Sequence, residues 1–316
     1  MHIFGFLTKR CILAFGIFVA VTVSCTAQQT TVPALPAASR NAAAAAPTWV
    51  PLWPEGAPGA LGTAPEDIPA IEVFLPRNNP MRSAIIICPG GSYMHLSLDR
   101  EGEQEARWLN DRGIAGIVLR YRLGPRYHHP IEMGDAQRAL RYVRSHADQF
   151  GIDKDKVGIW GFSAGGHLAS TVGTHFDAGN PAAADPIDRE SSRPDFMVLS
   201  YAVITMQPPY VHMVSRQNLL GDNPDPALVT LLSNDQQVTH DTPPTFLFQT
   251  TDDRTVPVQN AIMFYQALIT NGVSAELHIY QHGPHGSSLG QNFPELRGWP
   301  NQLMHWLVAN GWAQGT

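Results

Sequence analysis

The pentapeptide Gly161-Phe162-Ser163-Ala164-Gly165 stands between an apolar run, Val157 to Trp160, and a stretch of small residues that continues through Gly166. A serine framed by glycines where a strand hands over to a helix admits few backbones. The turn is tight enough to strain the serine, and side chains two positions to either side would collide with the neighbouring strand and helix. Such a turn lifts the Ser163 hydroxyl above the edge of a sheet. The rest of the chain supplies that sheet. Candidate strands at Ile71–Leu75, Ala84–Cys88, Ala115–Tyr121, Val157–Trp160, Phe196–Val203, Thr245–Gln249 and Glu276–Tyr280 alternate with helical patterns at Glu101–Arg112, Pro130–Phe150, Pro257–Asn271 and Gln302–Asn310. Gly113, Gly151, Gly272 and Gly311 stand where C-terminal helix glycines belong. Alternation of this kind predicts an α/β fold with a mainly parallel central sheet, helices on both faces, and a site at the carboxyl ends of the strands.

A serine hydroxyl needs a base before it becomes a useful nucleophile, and the base needs a group to orient it. Downstream of Ser163 the loop Thr251-Asp252-Asp253-Arg254-Thr255-Val256-Pro257 follows a strand and offers two carboxylates. Asp253 has the favoured spacing to Val256 and Pro257, and Asp252 reads as a capping residue. After the next strand comes His282-Gly283-Pro284-His285-Gly286. His285 sits inside that loop and is the expected base, whereas His282 directly follows the strand. Backbone N–H groups able to hold a developing oxyanion are expected from Ala164, next to the serine, and from Gly91 or Ser92 in Pro89-Gly90-Gly91-Ser92-Tyr93. No cofactor or metal is expected: the glycine pairs make no dinucleotide fingerprint, and His282 and His285 lack the company a zinc site needs.

The first 48 residues read differently. Lys9 and Arg10 precede a 13-residue apolar run, Cys11 to Val23, too short to span a bilayer comfortably but right for the core of an export signal. Cleavage after Ala27 gives an exported protein (periplasmic or secreted) with a signal at 1–27. Cleavage after Ser24 would instead leave Cys25 for lipidation, the one route to a membrane. Residues 28–48 are an Ala/Pro/Thr/Gln-rich spacer, and the folded domain is expected at 49–316. Of the three cysteines only Cys88 lies in that domain, at the end of an apolar run, so no internal disulfide is expected and the thiol reads as inert. With a formal net charge of −6 and no long Lys/Arg run, nucleic acid is excluded as a partner, and a small or neutral ligand fits better.

The segments CPGGSY, GFSAGG, TDDRTVPVQNA and GPHG resemble the esterase/lipase branch of the α/β-hydrolases. The likeness is nearest to the bacterial carbohydrate-esterase-like proteins, which include acetylxylan and feruloyl esterases, and it borders the prolyl-oligopeptidase-like hydrolases. It runs from about Trp53, in LWPEGAPGA, to the last helix. It implies an α/β-hydrolase fold and a serine carboxylesterase acting on acyl esters, acetyl first, of xylan or a related carbohydrate. A small-molecule or oligosaccharide ester would be the substrate. A peptidase, or a binding module on the same fold, is the alternative. The chain departs from the family pattern at Ser92, where a third glycine is usual, at Pro284, where glycine is common, and at Ser287 and Ser288, where bulky residues are common. Two further segments are expected to border the substrate: the aromatic, basic run Tyr121–Pro130, and a polar cap insertion at 205–241.

Overall fold

The computed structural model describes residues 48–315. The export leader expected at 1–27, the lipidation alternative at Cys25 and the spacer up to residue 47 lie outside the described residues.

Eight strands form one sheet in the order β1-β2-β4-β3-β5-β6-β7-β8. They are β1 (Val50–Pro51), β2 (Ala70–Phe74), β3 (Ala84–Cys88), β4 (Ala115–Arg120), β5 (Val157–Phe162), β6 (Met197–Ser200), β7 (Thr245–Thr250) and β8 (Ala275–Tyr280). The first two run antiparallel to their neighbours, and every pairing from β4 to β8 is parallel. This is the mainly parallel α/β sheet that the alternation of strands and helices predicts, in keeping with the α/β-hydrolase fold that the resemblance implies. The helices are α1 (Gln104–Asn110), α2 (Ile131–Ser145), α3 (Ala147–Phe150), α4 (Ala164–Thr174), α5 (Met213–Leu220), α6 (Pro226–Leu231), α7 (Gln259–Thr270) and α8 (Trp299–Ala309).

A parallel strand covered on both faces has no solvent side, which is why β3 (AIIIC) and β5 (VGIWGF) are buried throughout. One core joins Ile85, Ile87, Trp160, Phe162, Phe246 and Phe248 of the sheet to Ala106 and Leu109 of α1 and Leu303, Trp306 and Leu307 of α8. The Trp299 ring stacks on Phe248 at 4.3 Å. α2 and α4 pack together on the opposite face, and the start of α4 comes closest to β5 at a glycine: a Cβ on Gly161 would stand 2.2 Å from the Gly165 carbonyl oxygen.

Three expectations need correction. The helix expected over Pro130–Phe150 is interrupted at His146, whose φ of −109° and ψ of 17° divide α2 from α3. The helix expected from Glu101 opens as a wide turn, Asp99–Glu103, with Glu101 out of helical geometry, before α1 begins. The strand expected over Phe196–Val203 is only β6, because Tyr201 takes a positive φ and ends it. The 205–241 insertion carries α5 and α6, the latter capped by the Asp225 side chain with Pro226 in its first turn.

In-register parallel pairing puts the strand ends on one rim: Cys88 pairs with Gly161, Phe162 with Ser200, Ser200 with Phe248, and Thr250 with Tyr280. The loops beginning at residues 89, 163, 251 and 281 therefore leave the sheet on the same side.

Candidate active site

Ser163 has φ 52° and ψ −120°, the strained turn expected of it. Its flanking glycines are sterically required. A Cβ on Gly165 would lie 2.1 Å from the Cys88 carbonyl oxygen and 2.5 Å from that of Pro89. The turn is held from outside as well, since Ser163 N–H donates to Ser200 O at 3.1 Å and Val203 N–H donates to Ser163 O at 3.1 Å.

The three side chains expected from the sequence converge. Ser163 Oγ lies 2.8 Å from His285 Nε2, and His285 Nδ1 lies 2.8 Å from Asp253 Oδ2. The other Asp253 oxygen accepts from Thr255 N–H at 2.8 Å and Val256 N–H at 3.0 Å, so the carboxylate is fixed by its own loop. Its side chain is fully buried, while His285 keeps 19 % of its surface exposed. A carboxylate that accepts at Nδ1 fixes the proton on that nitrogen and leaves Nε2 free to take the hydroxyl proton. The competing pair stands elsewhere. Asp252 accepts from His282 Nδ1 at 3.1 Å and from Gly283 N–H at 2.9 Å, at the surface. Those hydrogen bonds, the one from His282 first, hold the Asp252 carboxyl below the usual range.

Ala164 begins α4, so its N–H has no intrahelical acceptor. Gly91 and Ser92 lie in the turn after β3, with φ of 136° and 58°. The N–H groups of all three find no acceptor among the described residues. Gly91 has to be glycine: a Cβ there would sit 2.0 Å from the His95 carbonyl oxygen. Cys88, at the foot of this loop, is fully buried, and burial pushes its thiol far up, as an inert residue requires.

Four positions around the loop escaped the sequence reading. His167, one helical turn after Ser163, is buried. Its Nε2–H donates to Leu232 O at 2.8 Å, and its Nδ1 accepts the Tyr93 hydroxyl at 2.8 Å. Burial pushes it down to about 4, so the ring is neutral and its two nitrogens play these two roles. Asn218 of α5 donates to Ser92 O at 2.9 Å, and Asn260 of α7 holds Ile204 and Thr205 N–H while donating to Tyr210 O at 2.9 Å. The insertion is thus pinned to the turn that carries Gly91 and Ser92. Glu101 accepts from Gly90 N–H at 2.9 Å. The only available signal for any of these was a polar residue within an otherwise apolar stretch, which marks His167 at best.

The Tyr121–Pro130 run is less basic toward solvent than its composition suggests. Arg122 is buried on Asp135, with Nη2 2.6 Å from Oδ1, and Arg126 pairs with Asp67. Both charges anchor the segment. His129 pairs with Glu132 at 2.9 Å, and His128 reaches the Asn218 carbonyl at 2.9 Å. Tyr121, Leu123 and Tyr127, with Met94, Leu96 and Leu98 opposite, line a cavity of about 430 Å³.

A family model named BD-FAE matches residues 71–268. Over 238 residues the chain is 39% identical to the acetylxylan esterase of Xylanibacter ruminicola, an alignment covering 74% of this chain and 47% of that protein. It is 35% identical over 240 residues to endo-1,4-beta-xylanase B of Butyrivibrio fibrisolvens, covering 73% of this chain and 36% of the relative. The chain therefore spans about half or less of the length of these curated relatives. The crystal structure of an acetyl ester-xyloside bifunctional hydrolase from Caldicellulosiruptor lactoaceticus is similar over 84% of this chain and 97% of its own, with a TM-score of 0.80 and 41% identity.

Proposed function

The chain belongs to the BD-FAE family, with an α/β-hydrolase fold, and from that premise we propose that it is a serine carboxylesterase removing acyl groups, acetyl first, from xylan or a related carbohydrate. The observation that carries the reading is the 2.8 Å contact of Ser163 Oγ with His285 Nε2, backed by Asp253 on the other ring nitrogen. Ser163 Oγ attacks the ester carbonyl carbon while Nε2 takes its proton. The carbonyl oxygen gains the negative charge and faces the N–H of Ala164 and of Gly91 or Ser92. The C–O bond to the sugar then breaks, and the departing oxygen takes the proton from His285. Water repeats the sequence on the acyl-serine, releasing the acid and restoring the hydroxyl.

Acetyl on a xylan-type sugar is supported by the printed activities of the relatives, acetylxylan esterase, xylanase and acetyl ester-xyloside hydrolase. We read residues 1–27 as an export leader, which N-terminal sequencing of the protein recovered from its host would test. The substrate test is a panel: acetate release from acetylated xylan, feruloyl release, and p-nitrophenyl esters of rising chain length. Fast acetate release and short-chain preference are expected, both lost in Ser163→Ala. Preference for long acyl chains would overturn the sugar-ester assignment.

A further inference from the structure

Glu101 is a buried carboxylate that the reaction itself does not use. It sits in the wide turn Asp99–Glu103, where its φ of −127° and ψ of 25° break the helical path and bring its side chain inward. Burial pushes its carboxyl up, opposed by the hydrogen bonds from Tyr201 and Gly90 and by the nearby His285 and Arg100. Both oxygens are taken. Oε2 accepts from Gly90 N–H at 2.9 Å, one residue before the first candidate oxyanion donor. Oε1 accepts the Tyr201 hydroxyl at 2.8 Å.

Tyr201 carries the connection onward. Its ring stands edge-to-face with His285, centroids 5.0 Å apart at 68°. Its oxygen accepts from Ser288 N–H at 3.0 Å, three residues beyond the histidine. Tyr201 holds this place at a φ of 38°, an uncommon one for a side chain of its size. Ser288, also at positive φ, closes the circuit by donating its hydroxyl to Arg100 O at 2.6 Å.

We propose that Glu101 is a positioning residue: through Gly90 on one oxygen and Tyr201 on the other, it fixes the oxyanion turn and the His285 loop relative to each other. The inference rests on the esterase reading of Ser163 and His285. The distance between those two loops decides whether the base and the oxyanion donors can serve one tetrahedral centre together. Misplacement by an ångström is enough to cost about a hundredfold in rate. Glutamine would keep the volume but has a single acceptor oxygen, so it can accept from the Tyr201 hydroxyl or from Gly90 N–H and not from both.

The test compares wild type, Glu101→Gln, Tyr201→Phe and the double variant on p-nitrophenyl acetate, with active sites titrated by a fluorophosphonate. The phenylalanine keeps the ring against His285 and removes only the link. Each single variant is expected to lose about ten- to a hundredfold in kcat with KM within about twofold of wild type, and the double variant to lose no more than the worse single one. A purely structural role would lower the melting temperature and the titratable fraction while leaving kcat per titrated site unchanged. That outcome, or losses that multiply in the double variant, overturns the proposal. If Glu101→Gln does not accumulate folded, Tyr201→Phe decides alone. A wild type inert toward the ester sinks the esterase reading, whereas an active wild type with unaffected variants sinks only the role given to Glu101.

Discussion

His282 Nδ1 stands 3.1 Å from Asp252 Oδ2, so the two residues that compete in sequence with His285 and Asp253 are paired with each other. The pair is open to water, with side chains 62% and 50% exposed, while the Asp253 side chain is fully buried. An exposed pair of this kind adds little to stability, and the Asp252 oxygens are engaged by His282 and Gly283 rather than by His285. Asp252→Asn is therefore expected to leave kcat within about threefold of wild type. Asp253→Asn, which presents the wrong partner to Nδ1–H, is expected to lower kcat by about 10³–10⁴. Steady-state kinetics on one short ester compares the two, and equal losses would contradict the assignment.

Gly165 tests the steric account of the serine turn. A methyl group there meets two backbone oxygens, at 2.1 and 2.5 Å, and neither belongs to a flexible side chain. Gly165→Ala is expected to cost about 3 kcal/mol or more, within the range of severe overpacking, and to reduce soluble yield. A variant that melts within about 2 °C of wild type would refute the tight approach of α4 to the end of β3.

Ser92 occupies a conformation suited to glycine, with φ 58°. The side chain costs about 1 kcal/mol there, and its carbonyl, not its hydroxyl, makes the contact with Asn218. Ser92→Gly is expected to keep the proposed esterase activity, with kcat on a short ester within about threefold of wild type. A loss of more than about tenfold in kcat would mean that the serine side chain acts in the reaction, contrary to a backbone oxyanion donor.

The serine turn and the loops of Asp253 and His285 were legible because each is marked by neighbouring residues, although the three lie far apart in the chain. Gly161, Ser163 and Gly165 lie within five residues, and Asp253 and His285 each sit in a short loop just beyond a strand. The strand cores were legible for the same reason, β3 and β7 to within a residue. Tertiary contacts hid the rest. Glu101 reads as a surface residue of a charged helix start, DREGE, and only the approach of Gly90 and Tyr201 makes it interior. Helices α5 and α6 sit in a stretch whose prolines and polar residues suggested loop. Arg122 and Arg126 suggested a ligand surface until Asp135 and Asp67 were seen to claim them.

His167 makes acid stability diagnostic. Burial lowers its pKa from the ordinary imidazole value of 6.5 to about 4. Between those values the unfolded chain takes up a proton that the folded ring refuses, so stability rises with pH there and is lost as pH falls. From pH 7 to pH 5 this one group forfeits about 2 kcal/mol. Urea unfolding at both pH values should show wild type losing about that much more than His167→Gln. Equal losses would mean that the ring is protonated in the folded state or that water reaches it.

The most direct test is intact mass and peptide mapping after exposure to a fluorophosphonate. A single adduct on Ser163 is expected, absent in Ser163→Ala and formed far more slowly in His285→Ala. Full folding with no adduct, or an adduct on another residue, would contradict an activated hydroxyl at position 163.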